Sequence, residues 1–381
     1  MDREKFEQLF NSVKNKSVSL QSLSDTESDE SKTLTDAIKN ADSKVVGEGA
    51  SKQCSYFGDK QQFAMLKYKK TVVKKAQGQF EKTDIIMFND WLISKGINTP
   101  KLYTMFFADE HYHEIYERVK GEDIYLAGHN RIYKKAMGYD PIRKRMEELT
   151  LSDIKDSEKT RSILNLTEEE KAVIGDFLYD YTIKNQQLML SYPDSEYESL
   201  LSQYKFLHNI GFRALDTNPG NLMVTKDGFK IIDLDIEKNL ERILVELGVS
   251  EGKKYTIPQL IKRLDAEPYV YMYTYDNSPI RSFRDSLAVD YLDPFLAGSW
   301  HCNLMTEKQA QDVRNNVGLI LEKAVKAMSK SSMLIERGWQ GGNYLILEAI
   351  GDNQPLYDKI MSSQVELKKR KTLSDDMGII K

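Results

Sequence analysis

The sequence predicts an α+β chain, rich in strands early and in helices later, and three observations predict it. Val45 to Val73 reads as short alternating runs separated by Gly-containing and polar turns. From Thr167 onward, apolar residues recur mainly at helical spacing. Within the second regime stands the stretch LHNIGFRALDTNPGNLMVTKDGFKIIDLD, Leu207 to Asp235. It holds Asp216, then Asn221, an apolar run from Leu222 to Val224, an Asp227-Gly228 turn, and an Ile231-Ile232 pair that delivers Asp233. Two short strands joined by a D-G turn bring their flanking polar residues to neighbouring strand ends, so Asp216, Asn221 and Asp233 can converge. One free oxygen-bearing side chain and two able to hold a hard cation are what phosphoryl transfer requires.

Composition bounds the alternatives. A chain of 381 residues suffices for one large or two modest domains. With 29% charged residues and a net charge of −4, no global field draws it to nucleic acid or a membrane surface. Cys54 and Cys302 make no disulfide framework, which suits a reducing interior. No run of 18 apolar residues and no charged-then-apolar leader is present. The expectation is therefore a cytoplasmic protein, or one exported without a cleaved signal.

The elements follow in order. Phe6, Leu9, Phe10 and Val13 mark a short amphipathic helix, and the Ser- and acid-rich segment after it completes a separate region over 1–40. Strands are expected from Val45, with Gly47 and Gly49 in a turn that by itself reads as a hairpin. Phe80, Ile85, Phe88, Trp91 and Leu92 form a helical stripe that Gly96 ends. INTPKLYTMFF and HYHEIYERVKGEDIY are two further strands and a link; His111 and His113 share a face as a metal pair or a plain hairpin. Residues 122–166 read as an insertion. Thr167 with Glu170 is a capping box opening a helix to about Tyr192, followed by a helix from Glu196 to Leu207. Tyr269, Tyr271, Tyr273 and Tyr275 alternate as on one strand face, Glu307 to Ser329 is a long amphipathic helix, and KKRK is a solvated tail.

The Leu207–Asp235 stretch resembles the catalytic and metal-binding loops of the protein kinase-like superfamily, which read H-R-D-L-x-x-x-N and then D-F-G. Leu207-His208 with Gly211 matches a common lead-in, and Pro219 matches the proline of D-L-K-P-x-N. The resemblance implies a bilobal fold with a small β-rich lobe over 41–118 and a larger helical lobe over 119–381. It implies ATP and Mg²⁺, with Asp216 aligning the acceptor hydroxyl and Asn221 and Asp233 holding the metal. Ala64-Met65-Leu66-Lys67 is similar to the V-A-I-K strand, which makes Lys67 the phosphate-contacting lysine, on the face shared by Phe63 and Met65. Lys52 stands where the third glycine of the Gly-rich loop would be, after Gly47 and Gly49. Glu81, preferred to Asp84 for its reach, is the expected partner of the lysine, and the backbone of Glu117, Arg118 and Val119 the expected purine edge.

The departures bear on substrate and control. Ala214 and Leu215 replace the His and Arg before Asp216, Asn218 replaces a phosphate-touching Lys, and no A-P-E triplet follows. Asp235 stands in place of the glycine of D-F-G, as an extra metal ligand or a solvated carboxylate. The resemblance implies a divergent, bacterial or effector-type kinase whose acceptor is a protein hydroxyl. The alternatives are a small-molecule kinase, a pseudokinase scaffold, and a nucleotidyl transferase on the same fold.

Overall fold

The strand-like runs before residue 120 pair into one antiparallel sheet, and the chain is α+β. A computed structural model describes residues 44–48, 52–57, 63–68, 80, 82–108, 111–123, 141–142, 144–145, 167–212, 215, 217, 219–247, 256–266, 279–287 and 304–330. The N-terminal helix expected before residue 16, most of the 122–166 insertion, the Tyr269–Tyr275 alternation and the basic tail lie outside the described residues. In chain order the elements are β1 (Lys44–Glu48), β2 (Lys52–Phe57), β3 (Phe63–Tyr68), α1 (Lys82–Ser94), β4 (Leu102–Ala108), β5 (His111–Glu117) and β6 (Gly121–Asp123). They continue with α2 (Glu168–Ser191), α3 (Asp194–Asn209), a 3-10 turn (Pro219–Asn221), β7 (Leu222–Thr225), β8 (Gly228–Ile231), α4 (Ile236–Glu246), α5 (Ile257–Ala266), α6 (Pro279–Ser286) and α7 (Glu307–Lys330).

The chain divides into two compact units. One comprises residues 1–120, 206–216 and 230–272, the other 121–205, 217–229 and 273–381. The first is built on a five-stranded sheet in the order β1-β2-β3-β5-β4. Its registers set two faces, because side chains alternate along each strand. Phe63, Met65 and Ile115 lie buried on one face, with Met65 opposite Ile115. The other face carries Lys52 opposite Tyr68, Cys54 opposite Leu66, and Leu66 opposite Glu114.

Helix α1 forms the apolar core of this unit. Phe88 is fully buried, stacked on Phe212 at 6.2 Å between centroids and tilted against Trp91 at 4.9 Å. Trp91 in turn meets Phe206 and donates its indole N–H to Asp265 at 3.3 Å. Buried Asn89 ties the helix to β4: its amide donates to the Pro100 carbonyl, and its oxygen accepts from the Leu102 N–H at 2.8 Å. The helix stops where the sequence predicts. Gly96 adopts φ +86°, its N–H donates to Ile93, and the Ile97 N–H reaches back to Leu92, a Schellman closure that satisfies the last carbonyls. The same device recurs after α3, where Gly211 has φ +98°, with bonds from Gly211 to His208 and from Phe212 to Leu207.

The second unit centres on α2, which opens with the expected capping box: Thr167 Oγ1 accepts from the Glu170 N–H, and Glu170 Oε2 from the Thr167 N–H. Helix α7 lies along it, joined by Tyr179 to Asp312, Gln309 to Asp176, and Gln186 to the Val313 carbonyl. At Gly175 an added Cβ would overlap the Leu304 carbonyl. The short sheet β6-β7-β8 is anchored from the helices: the Tyr192 hydroxyl donates to the Thr225 carbonyl, and Glu196 Oε1 accepts from the Phe229 N–H at 2.9 Å. Phe229 sits edge-on between Tyr192 and Tyr197. The Asp227-Gly228 turn closes with Gly228 at φ +118°.

Replacing Phe88 by Ala removes the ring on which Trp91 and Phe212 rest, so a loss of about 3–5 kcal/mol is expected in urea unfolding. Gly96→Ala forces a side chain into the left-handed region and should lower stability by about 1–2 kcal/mol, with open space around it and no steric penalty besides.

Candidate functional site

The charged face of the first unit's sheet is where chemistry-bearing groups collect. The Lys52 ammonium donates to Asp233 Oδ1 at 2.9 Å and lies 3.7 Å from Glu114 Oε2. It sits 4.7 Å from the centroid of the Tyr68 ring, and the Tyr68 hydroxyl donates to Glu114 Oε1 at 2.7 Å. Four side chains from three strands and from the segment after β8 thus form one network. The lysine and Glu114 side chains are only 14% and 7% exposed, whereas Asp233 is 39% exposed and faces outward.

Burial opposes the ammonium's charge, but Glu114 and Asp233 beside it more than compensate, and its pKa is raised above the ordinary lysine range. Burial, and then the neighbouring Glu114 carboxylate, push the Tyr68 phenol far up. Burial followed by Glu114 does the same to Tyr116 on this face. The lysine is therefore cationic and both phenols are neutral at neutral pH.

Asp233 is delivered by specific tethers. The Ile231 N–H at the end of β8 donates to the Asn98 carbonyl at 2.9 Å, and Lys230 pairs with Glu117 at 3.0 Å. Asp233 then takes φ +56° and Asp235 φ +44°, the only non-glycine residues with positive φ among those described. Such backbone is strained by on the order of 1 kcal/mol per residue and persists where the surroundings over-determine it. Here the fully buried Asn239 does so, its amide donating to the carbonyls of both Leu234 and Asp235. Asp235 occupies the N-cap of α4 without placing its side chain on the helix N–H groups, and its charge is felt at Tyr68.

The expected residues distribute as follows. Asp233 is in the network, but the lysine that reaches it is Lys52, at the start of β2. Lys67 lies opposite Gln53 and His113, on the face of Phe63 and Met65, and makes no ion pair with Asp233 among the described residues. The reason is the spacing: Ala64 and Lys67 are three residues apart and so point to opposite sides of β3, whereas Ala64 shares the face of Lys52, Tyr68 and Glu114. The carboxylate beside the lysine is Glu114, from a strand. Glu81 lies outside the described residues, as do Asp216 and Gly49.

Gly47 is in β1 opposite Cys54, beside a register shift. Glu117 ends β5 with its N–H donated to the Lys101 carbonyl, and Val119 follows two residues on. Asn221 closes the 3-10 turn in the other unit and is half-buried. His113 is buried, and His111 shares its Nδ1 with the Tyr68 carbonyl at 2.6 Å, so the pair serves the sheet.

At the far end of the charged face, Arg118 stacks over the Tyr56 ring at 4.1 Å. Tyr56, Ala64 and Tyr116 make a cross-strand row there. Cys54 lies between this row and Lys52; burial pushes its thiol up to about 11, with Arg118 pulling it partly back, so it is not a nucleophile at neutral pH. Of the two expected metal donors, Asp233 lies in the first unit and Asn221 in the second. Among the described residues no group of three or more His, Cys, Asp and Glu gathers as a preformed cage. A single carboxylate such as Asp233 is compatible with Mg²⁺, which commonly takes one or two protein carboxylates together with water and substrate phosphates.

Sequence reasoning missed Tyr68, Glu114 and Asn239, and read Lys52 only as a displaced loop glycine. An acidic residue at the centre of β5, HYHEIYE, next to Ile115, is the signal that could have found Glu114.

Glu114→Ala removes one of the two carboxylates beside a largely buried ammonium and leaves the Tyr68 hydroxyl without its acceptor, and should cost about 1–3 kcal/mol in urea unfolding. Glu114→Gln keeps an acceptor for Tyr68, so its loss should be visibly smaller. Because the folded pKa of Lys52 lies above its unfolded value of about 10.4, its contribution is fully present below that pH and is lost as pH rises through the higher folded value. The stability difference between the unaltered chain and Lys52→Met should accordingly stay constant from about pH 7 to 9 and shrink above about pH 10.4. Set against known protein families and curated proteins, the chain matches no family model and no curated protein, and the site stands on its own geometry.

Proposed function

We propose that the chain is an ATP- and Mg²⁺-dependent phosphotransferase of protein kinase-like fold, transferring the γ-phosphate to a hydroxyl, with a protein acceptor preferred to a small molecule. The observation that carries this reading is the Lys52–Asp233 pair, held from below by Glu114 and Tyr68. A fixed cation beside a strained, exposed carboxylate, at the end of a strand that follows an Asp-x4-Asn loop, is the electrostatic equipment a triphosphate needs. The order of strands and helix in the first unit, three strands, α1 and two more strands, supports the same reading.

In this reading Lys52 takes the role the sequence pattern suggests for Lys67, neutralising charge on the phosphates, and Glu114 keeps its ammonium in place. Asp233 would be the metal donor of the first unit, and Asn221 is the second donor that the sequence resemblance implies. A bound Mg²⁺ supplies neutralisation of the phosphate oxygens. Asp216 aligns the acceptor hydroxyl and receives its proton. The row of Tyr56, Ala64 and Tyr116, about 13 Å along the strand from Lys52, offers an apolar bed for a purine, with the Glu117–Val119 segment at its edge. Since the phosphoryl group needs little covalent help, the rate gain comes from positioning and charge.

Purified chain with ATP labelled at the γ- or the α-phosphate, alone and with cell lysate, tests the reading. Label from the γ-position on protein is expected. Asp216→Ala and Asp233→Ala should each abolish it, and Lys52→Met should lower it by about 10²-fold or more, with Lys67→Met close to the unaltered chain. Full activity in both aspartate variants would overturn the reading, and label from the α-position would replace it with nucleotidyl transfer.

A further inference from the structure

The row of Tyr56, Ala64 and Tyr116 already carries a side chain of the chain itself. Arg118 leaves the end of β5 and Tyr56 stands on β2, with β3 between them in the sheet, so the two strands lie about 10 Å apart. Arg118 nevertheless brings its guanidinium to 4.1 Å from the Tyr56 centroid. To do so its stem must cross β3 on the face that carries Lys52 and Glu114. Ala64, opposite both Tyr56 and Tyr116, is the residue beside which it crosses, and a lone methyl leaves the height that a crossing side chain needs. The charge of Arg118 is also felt at Cys54, two residues along β2 toward Lys52. A guanidinium is a flat plate that stacks on an aromatic face much as a base does. It therefore fills the layer above the row in which a purine would lie.

We propose that Arg118 is an internal occupant of the purine bed, a latch on Tyr56 that a nucleotide must lift before its base can settle beside Ala64. This rests on the reading of that row as the base site and adds to it the residue that sets nucleotide affinity. Two consequences follow from displacement alone. The free energy of the Arg118–Tyr56 stack is subtracted from binding, so loss of the guanidinium tightens the hold on a nucleotide. Only a ligand with a base feels this; a bare triphosphate that reaches Lys52 gains nothing. Were the base to stack on the outer face of the guanidinium, or to bond to its N–H groups, the same change would weaken binding.

The test is displacement of a fluorescent trinitrophenyl ATP from the full chain, with ATP and inorganic tripolyphosphate as the competitors. Arg118→Ala should bind ATP about three- to thirtyfold more tightly, the range expected for a cation stacked on an aromatic ring, with tripolyphosphate binding unimproved. Arg118→Lys keeps the charge and most of the stem but not the flat plate, so it should gain less; it carries the same sign should the alanine variant not fold. Unchanged or weaker ATP binding in the arginine variants overturns the proposal, as does an equal gain for tripolyphosphate, which has no base to seat. The two ideas fail separately. Tighter ATP binding with no γ-phosphate transfer sinks the phosphotransfer reading and leaves the latch, whereas transfer that persists with no tightening sinks only the latch. A chain from which ATP displaces nothing, in any variant, sinks both.

Discussion

One ammonium sets the constraint from which the rest of the first unit follows. Taking Lys52 out of water is costly unless opposite charge surrounds it, and the two carboxylates that do so come from β5 and from a segment 181 residues further along the chain. The sheet must therefore be in register at Lys52, Tyr68 and Glu114, and the exit of β8 must be held in place. The bond from Ile231 to Asn98, the Lys230–Glu117 pair and the amide of Asn239 serve the second requirement. Strain in the backbone at Asp233 is tolerated because the stops on either side leave the chain no easier path.

The second unit works by different means. Its β7–β8 turn is held by side chains at the junction of α2 and α3, where Tyr192 and Glu196 satisfy backbone groups of the hairpin and two tyrosine rings flank Phe229. Here the glycines act through space as well as through dihedral freedom. Gly228 turns the hairpin at positive φ, and the room a side chain would need there is filled by Glu196.

Local devices were legible in the sequence because their causes are local. The capping box at Thr167 and Glu170, the stop at Gly96, the D-G turn and the strand character of HYHEIYE all follow from neighbours a few residues apart. Which lysine faces the carboxylates was not legible. Period-two counting correctly ties Lys67 to Phe63 and Met65, yet that face is the apolar one, and only the registers of β2, β3 and β5 together show which side carries charge. The left-handed backbone of Asp233 and Asp235 was equally hidden, since it is imposed by tethers from Asn98, Glu117 and Asn239 that no short window contains. Asp216, Glu81 and Gly49 lie outside the described residues.

The surroundings of Lys52 also decide what kind of chemistry it can do. An amine acts as a nucleophile through its lone pair, and catalytic lysines of that type are kept neutral by apolar walls or by other cations. Lys52 is in the reverse setting, with two carboxylates and the π-face of Tyr68 holding its third proton. Imine formation and acyl capture at this side chain are thereby suppressed, and amine-directed reagents would reach the chain's exposed lysines first. Whatever molecule meets this face encounters an ammonium that keeps its proton, set behind the more exposed Asp233 carboxylate.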